Sequence, residues 1–138
     1  MDNLLLMSIH TKYANDIFNG KKKYEYRKST IGDNNLNKKI YVYSSGIDKA
    51  IIGYIIVDKV LCGDVKYIIE KTNPKDNISD YYRGALKAYA LHIKLYCKFK
   101  NPITLSYLRK IDKNISLPQY YKYIKANSKL YSILMLGE

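Results

Sequence analysis

The chain has 138 residues, of which 47% are hydrophobic and only 3 are Pro, which excludes a disordered tail and predicts one domain over residues 1–138. Lys and Arg number 24 against 12 Asp and Glu, for a formal net charge of +12, which favours a polyanionic partner such as nucleic acid. A biased base composition also enriches lysine, so the charge alone does not establish the function.

Short motifs exclude several kinds of site. The apolar run at residues 4–7 is too short for a signal peptide or a membrane span, so we expect a cytoplasmic protein with no membrane contact. Cys62 and Cys97 lack the spacing of a zinc or haem site, and the 7 glycines never cluster into a phosphate-binding loop. We therefore expect no metal and no cofactor.

The start of the chain predicts a strand followed by a helix. Residues 4–9 form a short apolar run that is typical of a buried strand. Thr11 is predicted to cap a helix over residues 12–19. Gly20 is predicted to end that helix in the left-handed conformation.

Residues 23–27 alternate between polar and aromatic side chains, which predicts a second, half-buried strand. This alternation places Tyr24 and Tyr26 on one face, where we expect them to contribute to the core. Glu25 and Arg27 then share the opposite face.

The middle of the chain is rich in strand-forming residues. Residues 39–44 and 51–60 predict two strands joined by a turn. Gly53, inside the second strand, predicts a bulge or a close approach of another backbone segment. A helix over residues 64–71 and a helical turn that ends near Gly84 are predicted to follow.

The last third begins with the clearest strand pattern in the chain, at residues 90–99. Its alternation predicts that one set of side chains points inward: Leu91, Ile93, Leu95, Cys97 and Phe99. A helix is predicted over residues 105–111. Pro118 is predicted to start another helix through residue 126, which would align Lys122, Lys125 and Lys129. For residues 129–136 a strand and a helix both remain open.

Gly20, Lys22, Glu25 and Arg27 stand in a G-x-K-x-x-E-x-R pattern directly after the predicted first helix. This pattern resembles the signature of the ASCH family, the activating-signal-cointegrator homology domains of the PUA-like superfamily. Further similar segments follow in order at residues 40–45, 50–53, 80–84, 100–103 and 117–120. The chain resembles a single-domain member of bacterial or phage type.

The resemblance implies an α+β fold of PUA-like type, a small mixed or antiparallel β-barrel with short flanking helices. It also implies a cleft beside the first helix and the strand that carries Glu25 and Arg27. Members of the family are thought to bind RNA or other nucleic acid. A few resemble enzymes, either amidohydrolases of acylated cytidine or ribonucleases.

A ligand site is predicted around Lys22, Glu25 and Arg27. Arg27 offers a rigid fork for two acceptors, Glu25 accepts from an exocyclic amine, and Lys22 adds positive charge for a phosphate. The alternative interpretation is a set of ion pairs that only solvates a strand face.

Three further residues are predicted to border this site. Tyr43 ends a strand and can stack on a base, and Ser45 lies just beyond it, where a pocket can open. His10 precedes the first helix at a position where relatives often carry Lys. His92, by contrast, is expected on the surface.

The leading hypothesis is a nucleic-acid-binding module, with RNA favoured over DNA. The alternative is a small hydrolase, either a ribonuclease or an amidohydrolase of a modified nucleoside, with Lys22, Glu25 and Arg27 as candidate catalytic residues. Amidohydrolases of the family tend to carry Thr at the position of Glu25, and a carboxylate beside Lys22 stabilises the ammonium form, so the amidohydrolase is disfavoured. A pure protein-interaction domain also remains open.

Overall fold

The structure, a computed structural model, describes residues 3–137. Within that range it contains six strands and five helices: β1 Leu4–His10, α1 Thr11–Phe18, β2 Tyr24–Arg27, β3 Lys39–Ser45, β4 Ala50–Gly63, α2 Val65–Thr72, α3 Ile78–Tyr81, β5 Ala88–Thr104, α4 Leu105–Ile111, β6 Tyr121–Ile124 and α5 Lys129–Gly137. A short 3-10 turn, Asp33–Asn35, precedes β3.

The strands form one mixed sheet in the order β2-β5-β4-β3-β1-β6. β1 and β3 pair in parallel, and every other neighbouring pair is antiparallel. A parallel pair requires a crossover between its strands, and here the crossover contains α1 and β2. The sheet curls into a half-barrel with β2 and β6 at its edges, so the predicted α+β class with a mixed sheet and short helices is confirmed.

Both faces of the sheet are covered because successive side chains along each strand point to opposite sides. In β1, Leu5 and Met7 pack in a cluster that includes Ile17 of α1. Leu6 points the other way, into a cluster that includes Leu108 of α4 and residues of α5. A third, smaller cluster lies where α2 and α3 cover the β2 and β5 end of the sheet. These helices bury the apolar faces of the sheet.

Gly53 marks both a bulge and a close approach, as predicted. The register of β4 shifts against β5 between Ile51 and Gly53. A Cβ atom at Gly53 would collide with the carbonyl oxygen of Cys97 and would lie 2.8 Å from Cε1 of Phe18. Only a residue without a side chain therefore fits between β5 and α1 at this point.

Gly53→Ala is expected to lower the free energy of unfolding by about 1–3 kcal/mol, the cost of overpacking a close-packed interior. Urea unfolding of the two proteins measures this difference. Ser106→Ala, an exposed change within α4, is the control and should alter stability by less than about 0.5 kcal/mol. Equal stability of the two variants would contradict the close approach.

The helix predicted after Pro118 is wrong. Residues Tyr121–Ile124 form β6, which pairs antiparallel with β1 from Leu4 to Met7. The outer edge of β1 offers unpaired backbone groups, and this tertiary pairing outweighs the helical preference of the segment. Since no helix forms there, the predicted helical alignment of Lys122, Lys125 and Lys129 does not exist.

The inward orientation predicted for Leu95 and Cys97 is also wrong, since both are exposed. The pairing of β5 with β4 shifts between Ile93 and Leu95, so one extra residue enters β5 and reverses the alternation beyond it. Phe99 consequently packs in the cluster of α4 and α5 instead of joining Ile93 beneath α1.

The start of α1 differs from the prediction, and its end agrees with it. Thr11 is the first residue of α1 and not its cap; the N-cap is His10, whose Nδ1 accepts a hydrogen bond from the Lys12 amide at 3.3 Å. Gly20 follows the helix with φ +76°, as predicted.

At the other end of the chain, the sequence left a strand and a helix open for residues 129–136. The structure shows a helix there, α5 Lys129–Gly137.

Candidate functional site

A cleft of about 290 Å³ lies where the carboxyl end of β1 meets β2. α1 borders it on one side, and α3 and the segment before β6 border it on the other. Its lining residues are Ser8, Ile9, His10, Tyr13, Lys22, Glu25, Tyr26, Arg27, Ser45, Asp76, Asn77, Ile78, Tyr81, Gln119 and Tyr120.

A charged trio of Lys22, Glu25 and Arg27 forms the centre of the cleft. Lys22 Nζ lies 3.0 Å from Glu25 Oε1, and Arg27 Nη2 lies 2.8 Å from Glu25 Oε2. Glu25 is only 5% exposed. It is the most deeply buried residue of β2, although it lies on the polar face of that strand. Each carboxylate oxygen has its own cation, which fixes the carboxylate plane and leaves the trio with one net positive charge.

Arg27 connects the trio to β1. Its Nη2 also donates to the carbonyl oxygen of Ser8 at 2.6 Å. Its Nε is buried and has no hydrogen-bond partner among residues 3–137. An unpaired buried donor costs about 1–3 kcal/mol, and such donors call for a catalytic role or a bound water or ion. Arg27 is therefore a member of the trio with unused hydrogen-bonding capacity.

Lys22 is held by aromatic rings as well as by Glu25. Its Nζ lies 4.6 Å from the ring centroid of Tyr13 and 5.6 Å from that of Tyr26. Contacts of this kind between a cation and a ring face stabilise the position of the ammonium group. An ammonium with three donors keeps hydrogen-bonding capacity beyond the Glu25 contact.

Tyrosines form the mouth of the cleft. Tyr81 and Tyr120 are exposed there, and Lys28 Nζ lies 4.9 Å from the Tyr81 ring centroid. Partial burial raises the pKa of the Tyr81 phenol, and burial likewise raises the pKa of Tyr26, whose hydroxyl donates to Thr72 Oγ1 at 2.9 Å. These phenols stay neutral at physiological pH, so they offer flat apolar surfaces edged by hydroxyl groups.

A buried polar network fixes α1 to the end of β3 beneath the cleft. Thr11 Oγ1 lies 2.9 Å from Ser44 Oγ and donates to the carbonyl oxygen of Ser45 at 2.5 Å. Ser44 Oγ in turn donates to Asp48 Oδ2 at 2.9 Å. Because these groups satisfy one another, Ser45 and the start of α1 have a defined position at the rim.

Five of the six residues predicted for the site line the cleft: His10, Lys22, Glu25, Arg27 and Ser45. The structure does not bring Tyr43 there. It is 6% exposed and packs in the cluster of α4 and α5, so a base cannot stack on it. Tyr81 and Tyr120 were not predicted as site residues, although both lie in segments that resemble the family.

Residues 3–137 hold neither a metal-type cluster nor a membrane-type helix. No group of three or more His, Cys, Asp or Glu side chains in that range has the arrangement of a metal site. Over the same residues, no helix has both the length and the apolar character that a membrane crossing requires.

The ASCH domain family model matches residues 7–127. The chain belongs to the ASCH domain family. An ASCH domain-containing ribonuclease from Zymomonas mobilis is 27% identical over 125 residues, which are 87% of this chain and 83% of that protein.

Solved structures agree with this assignment. The ASCH protein of Zymomonas mobilis superposes with a TM-score of 0.82 at 23% identity, and the match covers 97% of this chain and 95% of that one. Human THYN1, solved in complex with DNA that contains 5-methylcytosine, gives 0.58 at 14% identity over 99% and 98% of the two chains. The fold is therefore the PUA-like fold expected of an ASCH domain.

In this ASCH domain, backbone geometry explains why the signature residues meet. Gly20, at φ +76°, turns the chain back after α1. The amides of Lys21 and Lys22 both donate to the carbonyl oxygen of Asp16, at 2.9 and 3.0 Å. This tight turn delivers Lys22 to the start of β2, within reach of Glu25.

Proposed function

We propose that this ASCH domain binds single-stranded RNA and holds one unpaired nucleotide in the cleft. The observation that carries the proposal is the charged trio, in which a buried carboxylate fixes two cations at the bottom of a tyrosine-rimmed cleft. Buried ion pairs of this kind seldom add net stability. A binding role explains why the chain keeps one here.

The trio matches the chemistry of a nucleotide. The Arg27 guanidinium and the remaining donors of Lys22 suit phosphate oxygens or acceptor atoms on a base edge. Tyr81 and Tyr120 at the mouth suit the faces of bases, as aromatic side chains do in proteins that bind single strands. The cleft thus offers a polar end and a flat apolar end to one ligand.

An unpaired strand fits the cleft better than a duplex. A base inside a duplex must first leave its stack before it can enter a pocket, at a cost of a few kcal/mol. Proteins that recognise RNA bases therefore bind loops and single strands in most cases. The Zymomonas mobilis relative named as a ribonuclease supports RNA as the ligand, and human THYN1 bound to DNA supports nucleic acid in general.

Arg27→Lys is expected to weaken binding of a labelled single strand of about ten nucleotides by roughly tenfold or more. The substitution keeps the positive charge but loses the planar fork, and a good bidentate contact is worth about 1–3 kcal/mol. Titrations at several salt concentrations measure both the affinity and its salt dependence. Because the charge is retained, the slope of affinity against salt should change little.

Arg109→Lys is the matched control, since Arg109 is exposed on α4 and lies outside the cleft. It should leave affinity unchanged. Absence of RNA binding by the unmodified protein at low salt would overturn the proposed function. Equal affinity of the two arginine variants would mean that the basic surface alone binds RNA, and the cleft would lose its assigned role.

Cleavage of RNA is the second candidate function, favoured by the ribonuclease relative at 27% identity. Breaking a phosphodiester places additional negative charge on the phosphoryl oxygens, and fixed donors such as Lys22 and Arg27 stabilise it. Glu25 would then act as a positioning residue, because both of its oxygens already hold these cations. That same pairing disfavours the amidohydrolase, which needs a free amine at Lys22.

A further inference from the structure

A second cavity, of about 540 Å³, lies directly beside the cleft. It is bounded by the loop between α1 and β2 on one side and by the loop after α2 on the other. We call it the basic groove. Three exposed lysines line it from these two loops: Lys21, Lys23 and Lys75.

The basic groove adjoins the cleft. Lys22, Tyr26 and Asp76 line both cavities. Tyr26 borders both, and the hydrogen bond from its hydroxyl to Thr72 Oγ1 at 2.9 Å helps to fix its position. A strand held in the cleft therefore has the basic groove as its neighbouring surface.

The basic groove also has an aromatic wall. The ring of Tyr24 lies 6.5 Å from that of Tyr26 and 5.1 Å from that of His92. Tyr24 is thus held between two rings along the wall that leads away from the cleft. Lysines that follow a backbone, combined with rings for the bases, are the features by which proteins hold single strands.

The charge of the basic groove favours an anion but is not uniform. Including Lys22, four lysines face two carboxylates, Asp16 and Asp76. Asp76 lies at the junction with the cleft, so it opposes the passage of a phosphate at that point. The excess of lysines nevertheless leaves the whole groove positively charged.

We propose that the basic groove binds the nucleotide next to the one in the cleft, with its phosphate against Lys21, Lys23 and Lys75 and its base towards Tyr24. The ligand is consequently an RNA strand and not a free nucleoside or mononucleotide. This inference rests on the proposed function of the cleft, since it assigns the path of the strand that the cleft holds.

The test compares a triple variant of the basic groove with a triple variant elsewhere. Lys21→Gln, Lys23→Gln and Lys75→Gln together remove three positive charges from the groove. Lys94→Gln, Lys100→Gln and Lys113→Gln remove the same charge from exposed positions outside both cavities. Affinities are measured for adenosine monophosphate, a trinucleotide and a strand of about ten nucleotides.

The groove variant is expected to bind the trinucleotide and the longer strand roughly tenfold or more weakly than the control variant. A plot of log affinity against log salt should become less steep in the groove variant. The magnitude of its slope should decrease by about 0.7 for each phosphate that the missing lysines no longer neutralise. Binding of the mononucleotide should be equal in the two variants, because that ligand occupies only the cleft.

Equal losses of affinity for the long strand in both triple variants would overturn the proposed role of the basic groove, since overall charge would then explain binding. Failure of the cleft itself gives a different result: Arg27→Lys would leave the affinity for every ligand unchanged. Circular dichroism of each variant confirms that the fold is intact before affinities are compared.

Asp76→Asn provides a second, opposite test at the junction. Removing this carboxylate should strengthen binding of the trinucleotide several-fold, and by more than it strengthens binding of the mononucleotide, because only the trinucleotide carries a further phosphate across the junction. Weaker trinucleotide binding by this variant would contradict a path for the strand between the cavities.

Discussion

Glu25→Ala is expected to lower the free energy of unfolding by about 3 kcal/mol, because removing one member of a buried ion pair leaves the other charges buried without compensation. Two cations, Lys22 and Arg27, lose their partner in this variant, and their side chains are only 15% and 11% exposed. Urea unfolding measures the change. We expect a loss of stability at the lower end of the range that is usual for broken buried ion pairs, because both cations retain some exposure to water.

Asp80→Ala is the matched control for this measurement. Asp80 pairs with Arg83, but the side chains are 65% and 81% exposed, and exposed pairs contribute little to stability. We expect a loss below about 0.5 kcal/mol for this variant. If Glu25→Ala cost no more than Asp80→Ala, Glu25 would not be the buried anchor of the trio. Glu25→Gln, which keeps the shape of the side chain, should fall between the two.

For the second candidate function, cleavage of RNA, Lys22→Met is expected to slow the reaction about 100-fold, the usual loss when one fixed donor to a developing negative charge is removed. Methionine keeps an apolar, unbranched side chain at this position, and the Arg27–Glu25 pair remains. The rate of cleavage of a fluorescent single-stranded RNA under single-turnover conditions gives the effect without a contribution from product release.

Lys94→Met, an exposed change on β5, should cleave at the unmodified rate. A strand with one 2′-deoxy position at the cleavage site shows whether the neighbouring 2′-hydroxyl or water attacks phosphorus. Lack of cleavage by the unmodified protein would remove the ribonuclease candidate and leave the binding role intact. Equal rates for Lys22→Met and the unmodified protein would place the chemistry outside the trio.

Most strands were predictable because their alternation is a local property of the sequence. The short strand Tyr24–Arg27 has the bounds and faces that its alternation indicates, apart from one residue at its start. β6 was missed because its four residues become a strand only by pairing with β1, more than a hundred residues earlier. The exposure of Leu95 was missed for a similar reason, since a bulge in β5 depends on its register with β4.

The candidate site was predictable to the extent that its residues lie close together in the chain. Lys22, Glu25 and Arg27 lie within one turn and one strand, so their spacing alone indicates a cluster. Tyr81 and Tyr120 reach the same cleft from distant segments, and no periodicity connects them with the trio. Tyr43 failed as a site residue because the alternation of its strand does not reveal that α4 and α5, from the far end of the chain, cover it.

The pairing of β1 with β6 has a consequence for how the protein is made. Leu4 pairs with Ile124, and Gln119 and Tyr120, which border the cleft, immediately precede β6. During synthesis the N-terminal half therefore emerges with the trio but without one wall of the cleft. Pairings of such long sequence separation also slow folding. A nascent chain consequently acquires a complete cleft only after residues 119–124 have left the ribosome.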